Sequence, residues 1–296
     1  MYHQHDTIVF LNGRFIPAYS AQGDLYSQSM HYGNGIFDGL RAYNTPLGPH
    51  IFKAKEHFER LAKTAEILHV ELPYSPEEPT HFTYELLDRN QLTDAYIRPL
   101  VYFGSNMKLM LPTEAVNVFL AAWKWGKYLG NDLLDVTLSK YQRHPKTMEI
   151  ESKITGQYVT SVLATTDAKQ LGYDEAILTD TDGCIACGSV ANIFFEKDGI
   201  LYTPPRGSIL PGITRATVFE MAEDLGIEVQ EALFTPEEFA EADGAFFAGT
   251  AAEISGIRSF NGQVFNKLWK DTLGHTLFTK YRQIVTQGEY NSYSII

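Results

Sequence analysis

A lysine at the start of a predicted helix and two segments of small residues are the parts of this sequence best suited to chemistry. Lys153 lies in Glu151-Ser152-Lys153-Ile154-Thr155-Gly156-Gln157-Tyr158, just ahead of that helix. The helix dipole disfavours an ammonium group there, so its position asks for another reason. Leu210-Pro211-Gly212-Ile213-Thr214-Arg215 runs straight into a second helix. There the backbone N–H groups of Ile213 and Thr214 lack intrahelical partners and face outward to an anion. Gly249-Thr250-Ala251-Ala252-Glu253 follows a strand, and its small residues let a ligand come close to the backbone. Each feature also has an ordinary reading: Thr214 as an N-cap, the Gly-Thr segment as a tight turn, Lys153 as a solvated side chain.

The bulk properties narrow the classes of partner. The chain has 296 residues, with 44% apolar and 20% charged, a folded composition with room for two domains. A net charge of -12 argues against nucleic acid and anionic membrane surfaces. No basic segment followed by an apolar run stands at the N-terminus, and no stretch approaches the ~18 apolar residues of a bilayer span. The expected setting is therefore the cytoplasm, with no membrane partner. Cys184 and Cys187 are the only cysteines. Two are too few for a disulfide framework, and without a second pair or a nearby His their spacing does not make a metal site.

The elements that must position these residues follow from periodicity. Ile8–Leu11 and Arg14–Ile16 flank Asn12-Gly13, a hairpin signal. Ile36–Tyr43 and His50–Phe52 read as a strand pair, Ala54–Leu68 and Ser75–Asn90 as helices, Tyr96–Phe103 and Val116–Trp123 as interior strands. The pattern weakens around Gly126–Asp132, where a boundary is expected. Beyond it come strands at Val136–Tyr141, Glu175–Asp180, Asn192–Phe195, Ile200–Thr203, Glu228–Phe234, Gly244–Phe247 and Ile254–Phe260. Helices are predicted at Gln157–Leu171, Thr214–Leu225, after Thr235-Pro236 and at the C-terminus. Strands and helices mix without regular alternation, which favours an α+β fold with a barrel-like second half.

Several segments together carry a resemblance. Tyr32-Gly33, Phe37-Asp38-Gly39-Leu40-Arg41 and Tyr96-Ile97-Arg98-Pro99 precede Ser-Lys-x-x-Gly-x-Tyr, Leu-Pro-Gly-Ile-Thr-Arg and Gly-Thr-Ala-Ala-Glu. In order and spacing the chain resembles the branched-chain aminotransferases over nearly its whole length. The resemblance implies the fold-type IV architecture of pyridoxal-phosphate enzymes. A small N-terminal α/β domain would span 1–127, and a larger C-terminal pseudo-barrel domain, carrying Lys153, would span 128–296. It implies that Lys153 holds pyridoxal 5'-phosphate and moves the proton at Cα. Arg60, Ile213, Thr214 and Thr250 would bind the phosphate, and Tyr158 the phenolic oxygen. Tyr32, Phe37, Trp125 and Tyr128 would line the side-chain pocket. Tyr96, Ala251 and Ala252 would receive the α-carboxylate, and Arg98 the distal carboxylate of glutamate. Amino acids and 2-oxo acids would be the partners, in a homo-oligomer, a dimer or higher.

One position departs from the family. Where it has a Glu that pairs with the cofactor's ring nitrogen, this chain has Cys187, in Ile185-Ala186-Cys187-Gly188-Ser189-Val190-Ala191-Asn192. A thiol, with a reference pKa of about 8.5, is a poorer partner for a protonated ring than a carboxylate. The leading expectation is amino transfer between branched-chain L-amino acids and 2-oxoglutarate. The alternatives are a D-amino-acid aminotransferase, an aminodeoxychorismate lyase, or a cofactor-binding paralogue with weakened turnover.

Overall fold

The opening hairpin forms as its turn residues dictate. β1 (Ile8–Leu11) and β2 (Arg14–Pro17) pair antiparallel, with Leu11 opposite Arg14. Asn12 and Gly13 between them have φ of 48° and 83°, the positive values that a two-residue turn requires. The computed structural model describes residues 2–110, 116–126, 129, 133–146 and 149–287. The chain divides into two compact units, neither of them a single segment. The first takes Met1–Gly126, Ser152–Gln157 and the chain end from Val285; the second takes Lys127–Glu151 and Tyr158–Ile284.

The first unit continues through α1 (Gln28–Tyr32), β3 (Ile36–Phe37), β4 (Leu40–Thr45), β5 (Gly48–Ile51), α2 (Ala54–Ile67), α3 (Glu78–Arg89), β6 (Ala95–Phe103) and β7 (Val116–Trp123). Its sheet runs β2-β1-β7-β6-β4-β5, with β3 also on β6. Phe58, Leu61 and Ala65 of α2 join Leu86 and Leu87 of α3 against Phe10, Leu40 and Ile97 in one core. Lys55, Glu59 and Lys63 stay exposed on the other face of α2. Each buried Phe or Leu contributes roughly 1.5–3 kcal/mol, so the helix is held by this face.

The predicted strand Ile36–Tyr43 is interrupted at Asp38-Gly39. Phe37 lies opposite Leu100 and Leu40 opposite Ile97, so the gap faces Arg98 and Pro99. Pro99 has no N–H to give the ladder. A Cβ on Gly39 would run into the Tyr96 hydroxyl. The break leaves Asp38 fully buried. The short helix α1 lies in a stretch where the periodicity gave no element.

The second unit is built from β8 (Leu133–Gln142), α4 (Tyr158–Gln170), β9 (Glu175–Thr179), β10 (Ile185–Gly188), β11 (Asn192–Lys197), β12 (Ile200–Thr203), α5 (Ile213–Asp224), β13 (Val229–Glu231), α6 (Pro236–Ala240), β14 (Gly244–Gly249), β15 (Glu253–Phe260) and β16 (Gln263–Val264). The helix α7 (Leu273–Gln287) follows. The sheet order is β10-β9-β8-β15-β14-β11-β12-β13, with β16 on β15. Edge strand β10 comes back to the start of β11, since Gly188 N–H donates to the Ala191 carbonyl at 2.9 Å. A Cβ at Gly188 would lie 2.7 Å from the Phe247 ring of β14. The sheet therefore curls upon itself around a phenylalanine-rich core that includes Phe195, Phe239 and Phe247. α6 starts with a capping box between Thr235 and Glu238. Among the described residues no helix is long and apolar enough to cross a membrane, and no cluster of His, Cys, Asp or Glu is placed to hold a metal.

The segment that carries Lys153 is built into the first unit. Phe37 N–H donates to the Lys153 carbonyl at 3.1 Å, Thr155 N–H to Gly35 at 2.8 Å and Gly156 N–H to Gly33 at 2.6 Å. The Lys153 N–H reaches Thr64 Oγ1 of α2 at 3.3 Å. Gly33 and Gly156 cross without side chains between them: a Cβ on Gly156 would lie 2.8 Å from the Gly33 carbonyl oxygen. Because that neighbour is backbone, it cannot turn aside as a side chain can. Gly156→Ala should therefore destabilise the fold by about 1–3 kcal/mol through overpacking, read as a lower urea midpoint. An unchanged midpoint would show that the crossing has slack.

Candidate active site

Two groups of side chains hold the residues singled out from the sequence, one in each unit. In the first unit the Lys153 Nζ lies over the Phe37 ring, 4.6 Å from its centroid. The Arg98 guanidinium lies 4.8 Å from the same ring centroid and 5.4 Å from that of Tyr96. Arg98 Nη2 donates to the Tyr96 hydroxyl at 3.2 Å. Its Nε is buried with no hydrogen-bond partner, and among the described residues no carboxylate is paired with it. A buried donor left unmatched costs about 1–3 kcal/mol. Tyr96 stacks edge-on to Trp125, with centroids 4.6 Å apart, and Trp123 lies 5.2 Å from Tyr96. The result is an aromatic wall with the Lys153 amine and the Arg98 guanidinium set against it.

Below that wall Asp38, His57 and Arg60 form a buried network. Arg60 donates to both carboxylate oxygens of Asp38, through Nε at 2.9 Å and Nη2 at 2.7 Å. His57 Nδ1 lies 2.9 Å from Asp38 Oδ1. Burial alone would push the Asp38 carboxyl up, but Arg60 and His57 outweigh it and hold it far below the usual carboxylate range. His57 moves down, because burial and the charges of Arg60 and Lys153 outweigh the pull of Asp38. The His57–Asp38 contact at neutral pH is therefore a hydrogen bond from a neutral imidazole, and the ion pair is Arg60–Asp38. The bidentate fork fixes the plane of the Arg60 guanidinium.

In the second unit the turn from Cys187 to Asn192 brings three segments together. Asn192 pairs with Ala248 of β14, and its side-chain amide donates to the Leu210 carbonyl at 3.0 Å. A Cβ at Gly212 would strike the Asn192 side chain, and one at Gly249 would lie 3.1 Å from Ala191. The start of α5 and the Thr250 turn therefore both adjoin Ala191-Asn192. Gly212 is the N-cap of α5 and its helix start has no side-chain cap, so the Ile213 and Thr214 N–H groups are those that helix geometry leaves without intrahelical partners. Thr250, Ala251 and Ala252 form the loop of the β14–β15 hairpin, in which Gly249 pairs with Glu253. Cys187 is buried, and its Sγ accepts from Arg143 Nε at 3.4 Å. Cys184 and Cys187 are free thiols. Tyr158, the first residue of α4, lies close enough to Arg143 for the two to interact electrostatically.

Lys153, Phe37, Arg98, Tyr96 and Trp125 thus cluster as one group, with Arg60 in the adjoining network. Tyr32 is 45% exposed and gives its hydroxyl to the Met107 carbonyl. Tyr128 lies outside the described residues. Three functional candidates were missed. Asp38 stood in a quoted motif, and His57 is one helical turn before Arg60, so the i, i+3 spacing was the available signal. Arg143 gave none, because it follows β8 and meets Cys187 only through the fold.

The model of the amino-transferase class IV family matches residues 35–260. A branched-chain-amino-acid aminotransferase from Pseudomonas aeruginosa is 39% identical over 264 residues, 87% of this chain and 86% of that protein. The crystal structure of the branched-chain aminotransferase from Thermoproteus uzoniensis with norvaline superposes with a TM-score of 0.91 at 37% identity, covering 94% of each chain. The T.th. branched-chain amino acid aminotransferase complexed with N-(5'-phosphopyridoxyl)-L-glutamate gives 0.90 at 35% identity, covering 95% of this chain and 94% of that one. The fold is that of the fold-type IV branched-chain aminotransferase structures, mixed α/β with two sheets. The chain belongs to the class IV aminotransferase family.

The Asp38 network makes a measurable prediction. Removing one partner of a buried ion pair costs about 3–5 kcal/mol, so Asp38→Asn should lower the melting temperature and loosen Arg60. Because the Asp38 carboxyl is held below its ordinary value of 3.8, its stabilisation is complete above that pH and is lost as the pH falls further. Urea midpoints measured from pH 6 down to pH 2.5 should fall less steeply in Asp38→Asn. Parallel curves would contradict this role for the carboxylate.

Proposed function

We propose that this protein transfers amino groups between branched-chain L-amino acids and 2-oxoglutarate, with pyridoxal 5'-phosphate as its cofactor. The observation that carries the reading is the grouping of the Lys153 amine over Phe37 beside Arg98, whose buried Nε lacks an acceptor. The residues present fit the cofactor. Lys153 supplies the amine for its carbonyl carbon. Arg60, the N–H groups of Ile213 and Thr214, and Thr250 supply cationic and neutral donors for its phosphate. Tyr158 would meet the phenolic oxygen, and Cys187 would face the ring nitrogen. When bound, pyridoxal phosphate supplies the electron sink that makes the Cα proton removable.

The rest of the chemistry belongs to the chain. With the cofactor bound, the Lys153 amine would be the group placed to hold and move the proton at the substrate's Cα. Phe37 shields that amine on one side. Tyr96 and the amides of Ala251 and Ala252 receive the α-carboxylate that all substrates share. Phe37 and Trp125 offer apolar surface to a branched side chain, and Arg98 takes the second carboxylate of glutamate. A guanidinium lying on aromatic faces serves both substrate types, because its plane is apolar while its edge donates. The norvaline and phosphopyridoxyl-glutamate complexes of the two related enzymes support this pairing of substrates.

The proposal includes a second copy of the chain and a cytoplasmic setting. Tyr32 lies among exposed Leu25, Tyr26, Met30, Met107, Leu109 and Met110. Hydrogen bonds tie the two stretches together, from Gln28 Nε2 to the Lys108 and Met110 carbonyls and from Asn106 N–H to Tyr26. An apolar face of this kind is suited to burial between copies.

Borohydride treatment of the yellow holoenzyme should fix the pyridoxyl group to Lys153; a label on another lysine would refute the assignment. Arg98→Ala should weaken glutamate and 2-oxoglutarate about ten- to a hundredfold, the loss of one charge-assisted pair, and leucine much less. Equal losses would place Arg98 on the shared α-carboxylate.

A further inference from the structure

The position that departs from the family has a buried cation against it. Arg143 follows β8, its own N–H donating to the Thr179 carbonyl at 2.8 Å. Its guanidinium donates through Nε to Cys187 Sγ at 3.4 Å, and through Nη2 to Ser161 Oγ and to the Ser189 carbonyl, both at 3.1 Å. These acceptors are a sulfur, a hydroxyl and a carbonyl. Among the described residues no carboxylate is paired with this guanidinium. Burial opposes the Arg143 charge, yet Cys187 and Tyr158 beside it hold the guanidinium's pKa above its usual value. A carboxyl group linked to it is that of Glu175, reached through Ser189 and Thr165, whose Oγ1 lies 2.8 Å from Ser189 Oγ and 3.4 Å from Glu175 Oε1. Burial pushes the Glu175 carboxyl up from its ordinary value.

We propose that Arg143, held against Cys187, keeps the ring nitrogen of bound pyridoxal phosphate unprotonated. The inference rests on the cofactor reading above and adds to it a named electrostatic cause. A carboxylate at position 187 would face a pyridinium and pair with Arg143 at once. With Cys187 there, the permanent charge nearest that position is the guanidinium, and a protonated ring would add a like charge in a low-dielectric setting. Arg143 acts here through its field and through the placement of the Cys187 sulfur. The charged and titratable groups that bear on it are Cys187 from β10, Tyr158 from α4 and Glu175 from β9.

The test is the protonation of the ring itself. Holoenzyme carrying pyridoxal phosphate labelled with 15N in the ring gives distinct 15N resonances for the pyridine and pyridinium forms. The parent protein should show the pyridine form at pH 7. Arg143→Gln should raise the pH at which the ring protonates by about one to two units, and Arg143→Lys, which keeps the charge, should restore the parent signal. If Arg143→Gln fails to fold, Cys187→Glu and Cys187→Gln replace it. With Arg143 intact, Glu should give the pyridinium and Gln, of similar size, should not. A pyridinium in the parent at pH 7, or one titration midpoint shared by Arg143→Gln and the parent, or by Cys187→Glu and Cys187→Gln, overturns the proposal. A protein that takes up no pyridoxal phosphate, or labels at a lysine other than Lys153, overturns instead the reading on which it rests.

Discussion

Two glycines crossing without side chains between them set the position of the Lys153 amine. Gly156 N–H donates to the Gly33 carbonyl at 2.6 Å, and the pairing continues through Thr155 with Gly35 and through Lys153 with Phe37. This antiparallel run makes the Lys153 backbone a neighbour of β3, so the side chain rises next to Phe37 and not wherever a flexible loop would leave it. The cost of moving Lys153 is then the cost of breaking several backbone hydrogen bonds in a packed setting. The glycines in the Tyr-Gly and Ser-Lys-x-x-Gly motifs have their physical reason here. They permit the approach on which the lysine's place depends.

Charge is managed differently in the two units. In the first, the buried Asp38 carboxylate gives Arg60 a partner and a fixed plane, with His57 completing the set as a neutral hydrogen-bond donor. Arg98 lacks a carboxylate of its own and leans on aromatic faces. In the second unit Arg143 is buried among neutral acceptors and a sulfur. Among the described residues an acid stands beside Arg60, whose guanidinium it orients, and none is paired with Arg98.

Much of the fold was legible because local pattern and tertiary packing agree. The Asn12-Gly13 hairpin, the apolar face of α2 and the strands β6 and β7 follow from turn chemistry and periodicity. The break at Asp38-Gly39 was not legible, because its causes, Pro99 and the Tyr96 hydroxyl, lie some sixty residues away in sequence. The small residues after Gly249 could be read as a close backbone approach, but not that Ala191 is the neighbour. Asn192 fixing the Leu210–Gly212 loop is a contact across the sheet. Arg143 was invisible for the same reason. A solvated arginine and a buried one beside Cys187 look alike in a sequence, and the difference lies in which strand edge curls toward which helix.

We propose that Lys153, so positioned, serves the transfer of an amino group from a branched-chain L-amino acid to 2-oxoglutarate. The most direct measurement is glutamate formation from L-leucine and 2-oxoglutarate by the protein reconstituted with pyridoxal phosphate, run beside Lys153→Ala and beside D-alanine as donor. The account predicts rapid glutamate formation with L-leucine, little with D-alanine, and a loss of at least about a thousandfold in Lys153→Ala, some 4 kcal/mol of barrier. Turnover with D-alanine and not L-leucine, or a Lys153→Ala protein as fast as the parent, would contradict it.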